Sequence, residues 1–458
     1  MKIVVCIRQG LDGEISPFDA CAYEAALQIA DAEIVLLSMG APTVTDFLLK
    51  LTRLGAGRAI LLSDKAFAGA DTLATAYALS LAIKKLSPDI VFCGRQTLVG
   101  DTAQTPVMLA QMLGYSLITN VMSIDSIDAN SIECTTRCEG VSTVGFPALI
   151  TVERINTLRL PRLRSKLGTI ETWSAETVGA DISRCGLRGS PTRVLKTFEN
   201  QSGKRKCTFI PREKLEWAIG EGLKRNFDRA EEPKENVGEM LDKIFTVGDA
   251  PRTFAETVCD DVTVIDFSDA DTIARLIRAE APDAVIWGSD TRSKRLASQV
   301  AAILNLGLCA DCTRLECENG ELIMYRPALS GSIIAKIKSI TRPAMATVRT
   351  DGNDDADVMI GIGFGAKDSL SKIKEFARDI GAEICASRKI VDNGYAPYDN
   401  QVGLTGKTVS PPVYIAVGIS GAVHHIVGME RAGTVIAINT DRNAPIFDYA
   451  DFGIVDEF

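Results

Sequence analysis

The only two histidines of the 458-residue chain, His424 and His425, stand together in one glycine-rich stretch near the C-terminus. From Val413 to Met429 it reads VYIAVGISGAVHHIVGM. Tyr414 to Val417 is a short apolar run of the kind that forms a buried parallel strand. Gly418, Ser420 and Gly421 follow, and Ala422 and Val423 lead into the histidines, which are expected to open a helix. Such a turn can bring bare backbone N–H groups against a phosphate. To the same stretch belong Val402-Gly403-Leu404-Thr405-Gly406-Lys407 and a second strand, Gly433 to Ile438. That strand ends in Asn439-Thr440-Asp441, polar groups suited to a ribose or a base. The chemistry is nucleotide binding; no Ser-His-Asp set, metal triad or pair of catalytic carboxylates emerges. The plainer alternative for the histidines is a capping or surface pair.

The elements that must hold this stretch repeat along the chain. Residues 1–120 alternate strand and helix patterns: Met1 to Ile7, Ile34 to Leu37, Ala59 to Leu62 and Ile90 to Cys93 read as strands, Thr72 to Leu86 as a helix. This rhythm predicts a parallel sheet covered on both faces. Ligands in such sheets bind at the carboxyl ends of strands, where two loops run from Ala68 to Thr75 and from Gly94 to Thr105. Their small residues, hydroxyls and Arg95 suit a nucleotide phosphate, although Asp71-Thr72 and Asp101-Thr102 are also good helix caps. Pro88 to Gly94 (PDIVFCG) recurs as Pro282 to Gly288 (PDAVIWG), and Phe146 to Val152 recurs as Arg342 to Val348 at nearly the same interval. A shared long period indicates duplicated architecture. Ser289-Asp290-Thr291-Arg292 stands where the second copy would need its phosphate loop. The last domain opens with Gly361-Ile362-Gly363-Phe364-Gly365-Ala366, a G-x-G-x-x-A pattern after a strand, and Ser387-Arg388 ends the next strand. Arg388 would suit an NADP 2′-phosphate, which keeps an NADP-binding domain as an alternative.

Composition sets bounds. A net charge of −9 argues against general nucleic-acid binding. No run of about 20 apolar residues predicts a membrane span, and the first strand is too short for a signal peptide. Twelve scattered cysteines suit a reduced, cytoplasmic protein. Cys309, Cys312 and Cys317 have the spacing of metal ligands but lack a nearby fourth, so no metal is expected.

The C-terminal motifs, AVGISGA-x-x-H with VG-x-TGK, ASR, AIN-x-D, APIF and ADFGIV, resemble the FAD-binding domain of the electron transfer flavoprotein alpha subunit, from about Asp357 onward. VVCIRQ, LLSMG, LGAGRAILLSD, FAGADTLATAYAL, CGRQ and GDTAQ resemble the beta subunit. The resemblance implies both subunits in one chain: a beta-like domain with its C-terminal arm (1–209), an alpha-like domain that binds no nucleotide (210–350), and an FAD-binding domain (351–458). The expected fold is α/β, two related nucleotide-binding-like parallel-sheet domains and a Rossmann-like third. The resemblance implies FAD on Ser387, Arg388, Val402, Gly403, Leu404, Thr405, Gly406, Ser420, Gly421, Ala422, Val423, His424, His425, Asn439, Asp441 and Glu457. Arg388, Thr405 and His425 would face the flavin ring, with Arg388 and His425 as cations that favour negative charge there. It implies AMP, or a second FAD as in electron-bifurcating members, on Cys6, Met39, Asp71, Thr72, Thr75, Gly94, Arg95, Gln96, Asp101, Thr102, Gln104 and Thr105. Three residues depart from the family pattern: Val99 for an acid, Ile362 for an arginine and Leu404 for a glutamine. The implied function is electron transfer between soluble dehydrogenases and an acceptor rather than substrate conversion, with a nucleotide-binding paralogue lacking redox flavin as the alternative. The basic, apolar loop Arg159 to Lys166 would dock an acyl-CoA dehydrogenase-like or other flavin dehydrogenase, and NADH is a donor in bifurcating members. The polar joint Thr350 to Asp355 would let the FAD domain pivot.

Overall fold

The computed structural model describes residues 1–10, 13–97, 102–137, 139–153, 157–199, 204–229, 240–328, 333–349, 356–403 and 406–458. They form two compact units: Met1–Thr197 with Gly238–Leu329 and Ala335–Val348, and Phe198–Val237 with Ser330–Ile334 and Arg349–Phe458. The fold class is the expected α/β. Among the described residues no helix is long and apolar enough to cross a membrane.

The first unit holds the duplication. In its first copy the parallel strands lie in the order Ser116–Ile127, Ala148–Val152, Ile90–Gly94, Lys2–Cys6, Glu33–Met39, followed by Arg58–Leu62 and Thr169–Trp173. In the second copy the order is Leu308–Cys312, Ala344–Val348, Ala284–Trp287, Ile244–Val247, Val262–Ile265. The first five positions therefore match one for one. Small irregularities match too. Asn120 and Asp311 each take a positive φ, 58° and 54°, at a bulge in the equivalent strand. Each donates its N–H to a threonine Oγ1, Thr151 and Thr347, at 2.9 Å.

The strands are apolar throughout because both faces are covered. Ile3, Val5, Ile90 and Phe92 pack on one face of the first sheet, Val4, Val91 and Cys93 on the other. The second set shares one core with Phe245, Val285 and Trp287 of the second copy. Each such fully buried aliphatic side chain stabilises the fold by about 1.5–3 kcal/mol relative to exposure.

Two helices begin differently in the two copies. Thr291–Leu304 starts under Asp290, whose carboxylate accepts from the Ser293 N–H at 3.0 Å and its hydroxyl at 2.5 Å. Thr105–Leu113, after the same strand of the first copy, starts at Gln104 without a side-chain cap.

The second unit is a six-stranded parallel sheet in the order Thr208–Phe209, Phe452–Ile454, Thr434–Ile438, Val413–Val417, Val358–Ile362, Glu383–Ala386. From Val358–Ile362 the chain winds outward to Glu383–Ala386, then crosses back to Val413–Val417 on the other side. The strand order reverses between these neighbours, and such a reversal opens a crevice at the carboxyl edge. Helix Leu215–Arg229 covers one face. A Cβ on Gly222 would stand 2.7 Å from Val413 Cγ2, so glycine sets how closely that helix approaches the sheet.

Candidate nucleotide sites

In the second unit the parallel strands deliver Gly363, Ser387, Gly418, Asn439 and the residues after Ile454 to the same edge. The glycine turn lies at its centre. Gly418 takes φ 64° and Gly421 φ 91°, and a Cβ on Gly421 would fall 2.2 Å from the Ile446 nitrogen. Only glycine fits there. The N–H groups of Ile419, Ser420, Gly421 and Ala422 donate to no described acceptor, a row of bare donors of the kind that receives an anion. Ser420, Ala422, Val423 and His424 are exposed beside them.

His425 turns the other way. Helix Val423–Met429 carries it inward to 6% exposure, where Nε2 lies 3.0 Å from the Tyr414 hydroxyl. Nδ1 is buried without a hydrogen-bond partner of normal geometry. Burial pushes the pKa down to about 4, against a smaller opposing influence of the Val402 backbone. At neutral pH His425 is uncharged, which corrects the expectation of a second cation. The cation at this edge is Arg388, half-exposed and 3.4 Å from Asp392. The ring of the neighbouring His424 titrates low, through desolvation and then repulsion by Arg388.

The remaining predicted residues frame the turn. Val402 is buried and donates its N–H to the Ala386 carbonyl at 2.9 Å. Gly403, φ 135°, packs where a Cβ would meet the His424 carbonyl at 2.5 Å, and Gly406 N–H closes the loop onto the Gly403 carbonyl at 2.9 Å. Leu404 and Thr405 between them lie outside the described residues. Ser387 stands at the N-cap position of the short helix Arg388–Asp392, without a side-chain capping bond. Asn439, expected on FAD, donates to the Ile419 carbonyl at 2.9 Å and accepts from the Asp441 N–H at 3.0 Å, which braces the glycine turn. Asp441 in turn accepts from the Asn443 N–H at 2.9 Å. The Glu457 carbonyl accepts from Arg212, while its N–H reaches the Asp456 carboxylate at 2.8 Å. Ile362 is a core residue, 1% exposed, at the end of its strand.

FAD fits this edge through the bare N–H row at the obligate glycines. Bound there, FAD supplies reversible uptake of electrons. The backbone N–H groups would hold its phosphates, and Arg388 would favour negative charge nearby.

The first unit contains a cavity of about 920 Å³. Ten of the twelve predicted residues line it: Cys6, Met39, Asp71, Thr72, Thr75, Gly94, Gln96, Thr102, Gln104 and Thr105. Gln104 is 2% exposed, and its Nε2 is buried without a partner. Asp71 lines the cavity but is committed to structure. Its carboxylate caps helix Thr72–Leu86 through the N–H groups of Leu73 and Ala74 at 3.1 Å and also accepts from Thr192 Oγ1 at 2.8 Å. Arg95 is not on the wall. It pairs with buried Glu153 at 2.7 Å, a carboxylate it shares with Arg137 at 2.5 Å. Val99 and Asp101 lie outside the described residues.

Several lining groups escaped the sequence reading. Arg8, Gly40 and Ser63 follow strand ends, Ser38 is the last residue but one of its strand, and all could have been found from the carboxyl-edge rule. Asp19 also lines the cavity. Burial raises its pKa to about 7, although it accepts the Arg8 N–H at 2.8 Å. Leu308, Cys309, Arg326 and Ile337 come from the second copy and close the cavity without any local signal. Cys309 and Cys312 lie in strand Leu308–Cys312 and Cys317 in Arg314–Glu318 of another sheet, and no described group of three or more ligating side chains could hold a metal ion.

Comparison with known proteins agrees with this geometry. The electron transfer flavoprotein domain matches residues 3–178 and 267–364, and the electron transfer flavoprotein FAD-binding domain matches residues 354–430. Protein FixA of Azorhizobium caulinodans is 42% identical over 223 residues, 44% of this chain and 79% of that protein. Electron transfer flavoprotein subunit alpha of Thermoanaerobacterium thermosaccharolyticum is 38% identical over 232 residues, 41% of this chain and 70% of that protein. Protein FixB of Rhizobium meliloti is 37% identical over 227 residues, covering 39% of this chain and 64% of that protein. The matched domains span more than half of the chain and take in the glycine turn and much of the cavity wall: the chain belongs to the electron transfer flavoprotein family and is a flavoprotein electron carrier.

Proposed function

We propose that the chain unites a beta-like segment (1–209) with an alpha-like segment (210–350 and 351–458) and carries two adenine nucleotides. One is FAD at the glycine turn of the second unit; the other lies in the cavity of the first. The fusion is supported by two kinds of relative, FixA and the alpha or FixB proteins, each matching about two fifths of the chain. The duplicated strand order supports it independently.

The second nucleotide is read as FAD rather than AMP. The observation that carries this is the cavity volume of about 920 Å³, near the top of the ~300–1,000 Å³ range of small-molecule sites. A mononucleotide would leave much of that wall uncovered. Two flavins would suit a carrier that divides an electron pair from NADH. Partner flavin dehydrogenases, acyl-CoA dehydrogenase-like or otherwise, would dock on the loop after Arg159. Leu160 and Leu163 are 87% and 100% exposed there, large apolar side chains with no described residue over them. Arg159 itself is tied to Glu24 at 2.7 Å, so the charge presented to a partner comes from Arg162, Arg164 and Lys166. The expected setting is the cytoplasm.

Acid extraction and quantification of bound nucleotide decides the count. Two FAD per chain is expected. One FAD with one AMP would replace the bifurcating reading by simple transfer, and a single FAD with no other adenine nucleotide would overturn the cavity assignment.

A further inference from the structure

Two of the cavity-lining residues are cysteines on adjacent strands, Cys6 and Cys93. Strands Lys2–Cys6 and Ile90–Gly94 run parallel with Ile3 opposite Ile90, Val4 opposite Val91 and Val5 opposite Phe92. One step further along that register Cys6 stands opposite Cys93. Paired positions of a parallel sheet put their side chains on one face, here the face of Val4 and Val91. The neighbouring Cys6 thiol and then burial push the Cys93 thiol up, so Cys93 is held protonated. Cys6 is half-buried and Cys93 is 5% exposed. A reagent entering the cavity thus meets Cys6 first and Cys93 behind it.

We propose that Cys6 and Cys93 are a thiol pair that a small disulfide oxidises to a cross-strand disulfide, and that this modification and a nucleotide in the cavity exclude one another. The Cys6 thiolate attacks one sulfur of the small disulfide, forms a mixed disulfide and releases one thiol. The Cys93 sulfur, having given up its proton, then attacks the Cys6 sulfur and releases the second thiol. Two protein thiols lose two electrons and two protons, and the small disulfide is reduced to two thiols. Neighbouring strands lie about 4.8 Å apart, inside the ~4.4–6.8 Å Cα range of disulfides. Straight parallel strands hold the Cβ atoms wider than a relaxed bridge prefers, so the bond would be strained. Strained disulfides have more oxidising potentials and are the readily reversed ones. The thiol chemistry stands on the strand register alone; the exclusion of nucleotide rests on the cavity reading proposed above.

The test uses the full chain exposed to glutathione disulfide, followed by alkylation and peptide mass mapping. The expected product links the Cys6 and Cys93 peptides with loss of two hydrogens. Cys93→Ser should stop at a glutathione adduct on Cys6, and Cys6→Ser should leave Cys93 unreacted. A wild-type chain that retains glutathione on Cys6 beside a free Cys93, or that oxidises elsewhere while both stay reduced, overturns the pairing. Saturating AMP or FAD should slow linkage about tenfold or more, and the linked protein should bind AMP about tenfold more weakly by equilibrium dialysis. Unchanged AMP affinity after linkage overturns the exclusion. If the reduced chain binds neither nucleotide, the cavity reading fails while the mass map still judges the thiol pair.

Discussion

His425 and Asp19 are buried titratable groups whose charged forms the fold opposes, with opposite pH consequences. His425 has a folded pKa of about 4, below its ordinary value of 6.5. As pH falls from 6.5 toward 4 the unfolded chain takes up a proton that the native chain refuses, so stability is lost, by roughly 3 kcal/mol at the acid end. His425→Gln should flatten that slope in urea unfolding between pH 7 and 4.5; an unchanged slope would remove His425 as its source. Asp19 runs the other way. Its folded pKa of about 7 lies above the ordinary 3.8, so the native chain keeps a proton that the unfolded chain releases, and stability falls as pH rises from 4 to 7. Asp19→Asn keeps an acceptor for the Arg8 N–H and should stabilise the first unit at pH 8 by about 1–3 kcal/mol. A destabilised variant would mean that the carboxylate does more than accept this bond.

Glycines fix the elements of the second site more tightly than any polar contact does. Gly421→Ala puts a methyl against the Ile446 nitrogen in a left-handed conformation, a cost of about 1–3 kcal/mol of strain before the clash is counted. The variant should lose the C-terminal FAD and keep nucleotide binding in the first-unit cavity; the full wild-type content of FAD per chain would show that the turn can relax. Such elements were readable in advance because their signal is local. The apolar runs at Tyr414 to Val417 and Ile90 to Cys93, and the helix from Thr72 to Leu86, appear with ends shifted by no more than one residue. The duplicated Pro-Asp and Phe-Pro segments announced the repeated strand order. What was not readable depended on distant partners. Arg95 has the right loop but the wrong neighbour, because Glu153 lies at the end of another strand. Arg326 reaches the cavity from the other copy. His425 sits on the right motif, yet burial against Tyr414 fixes its charge, and nothing local reveals that contact.

On the scale of the molecule, two compact units with separate cores should respond separately to their ligands. A site filled at a hundred times its dissociation constant stabilises its own unit by about 2.7 kcal/mol. Calorimetry of nucleotide-free protein should therefore show two transitions, with added AMP raising one by several degrees and leaving the other in place. FAD should raise the transition that AMP leaves. A single transition moved equally by both ligands would mean that the units melt as one.

Asp290 gives the duplicated unit a fixed valency. Its carboxylate already sits on the N–H and hydroxyl of Ser293, at the helix start where the first copy leaves Gln104 without a side-chain cap. The second copy thus carries a covalently attached counter-anion, present at an effective concentration no free phosphate can match. Its like charge would repel phosphate as well. Raising the nucleotide concentration should fill the first copy and leave the second unfilled, so the tandem pair counts as one binding equivalent rather than two.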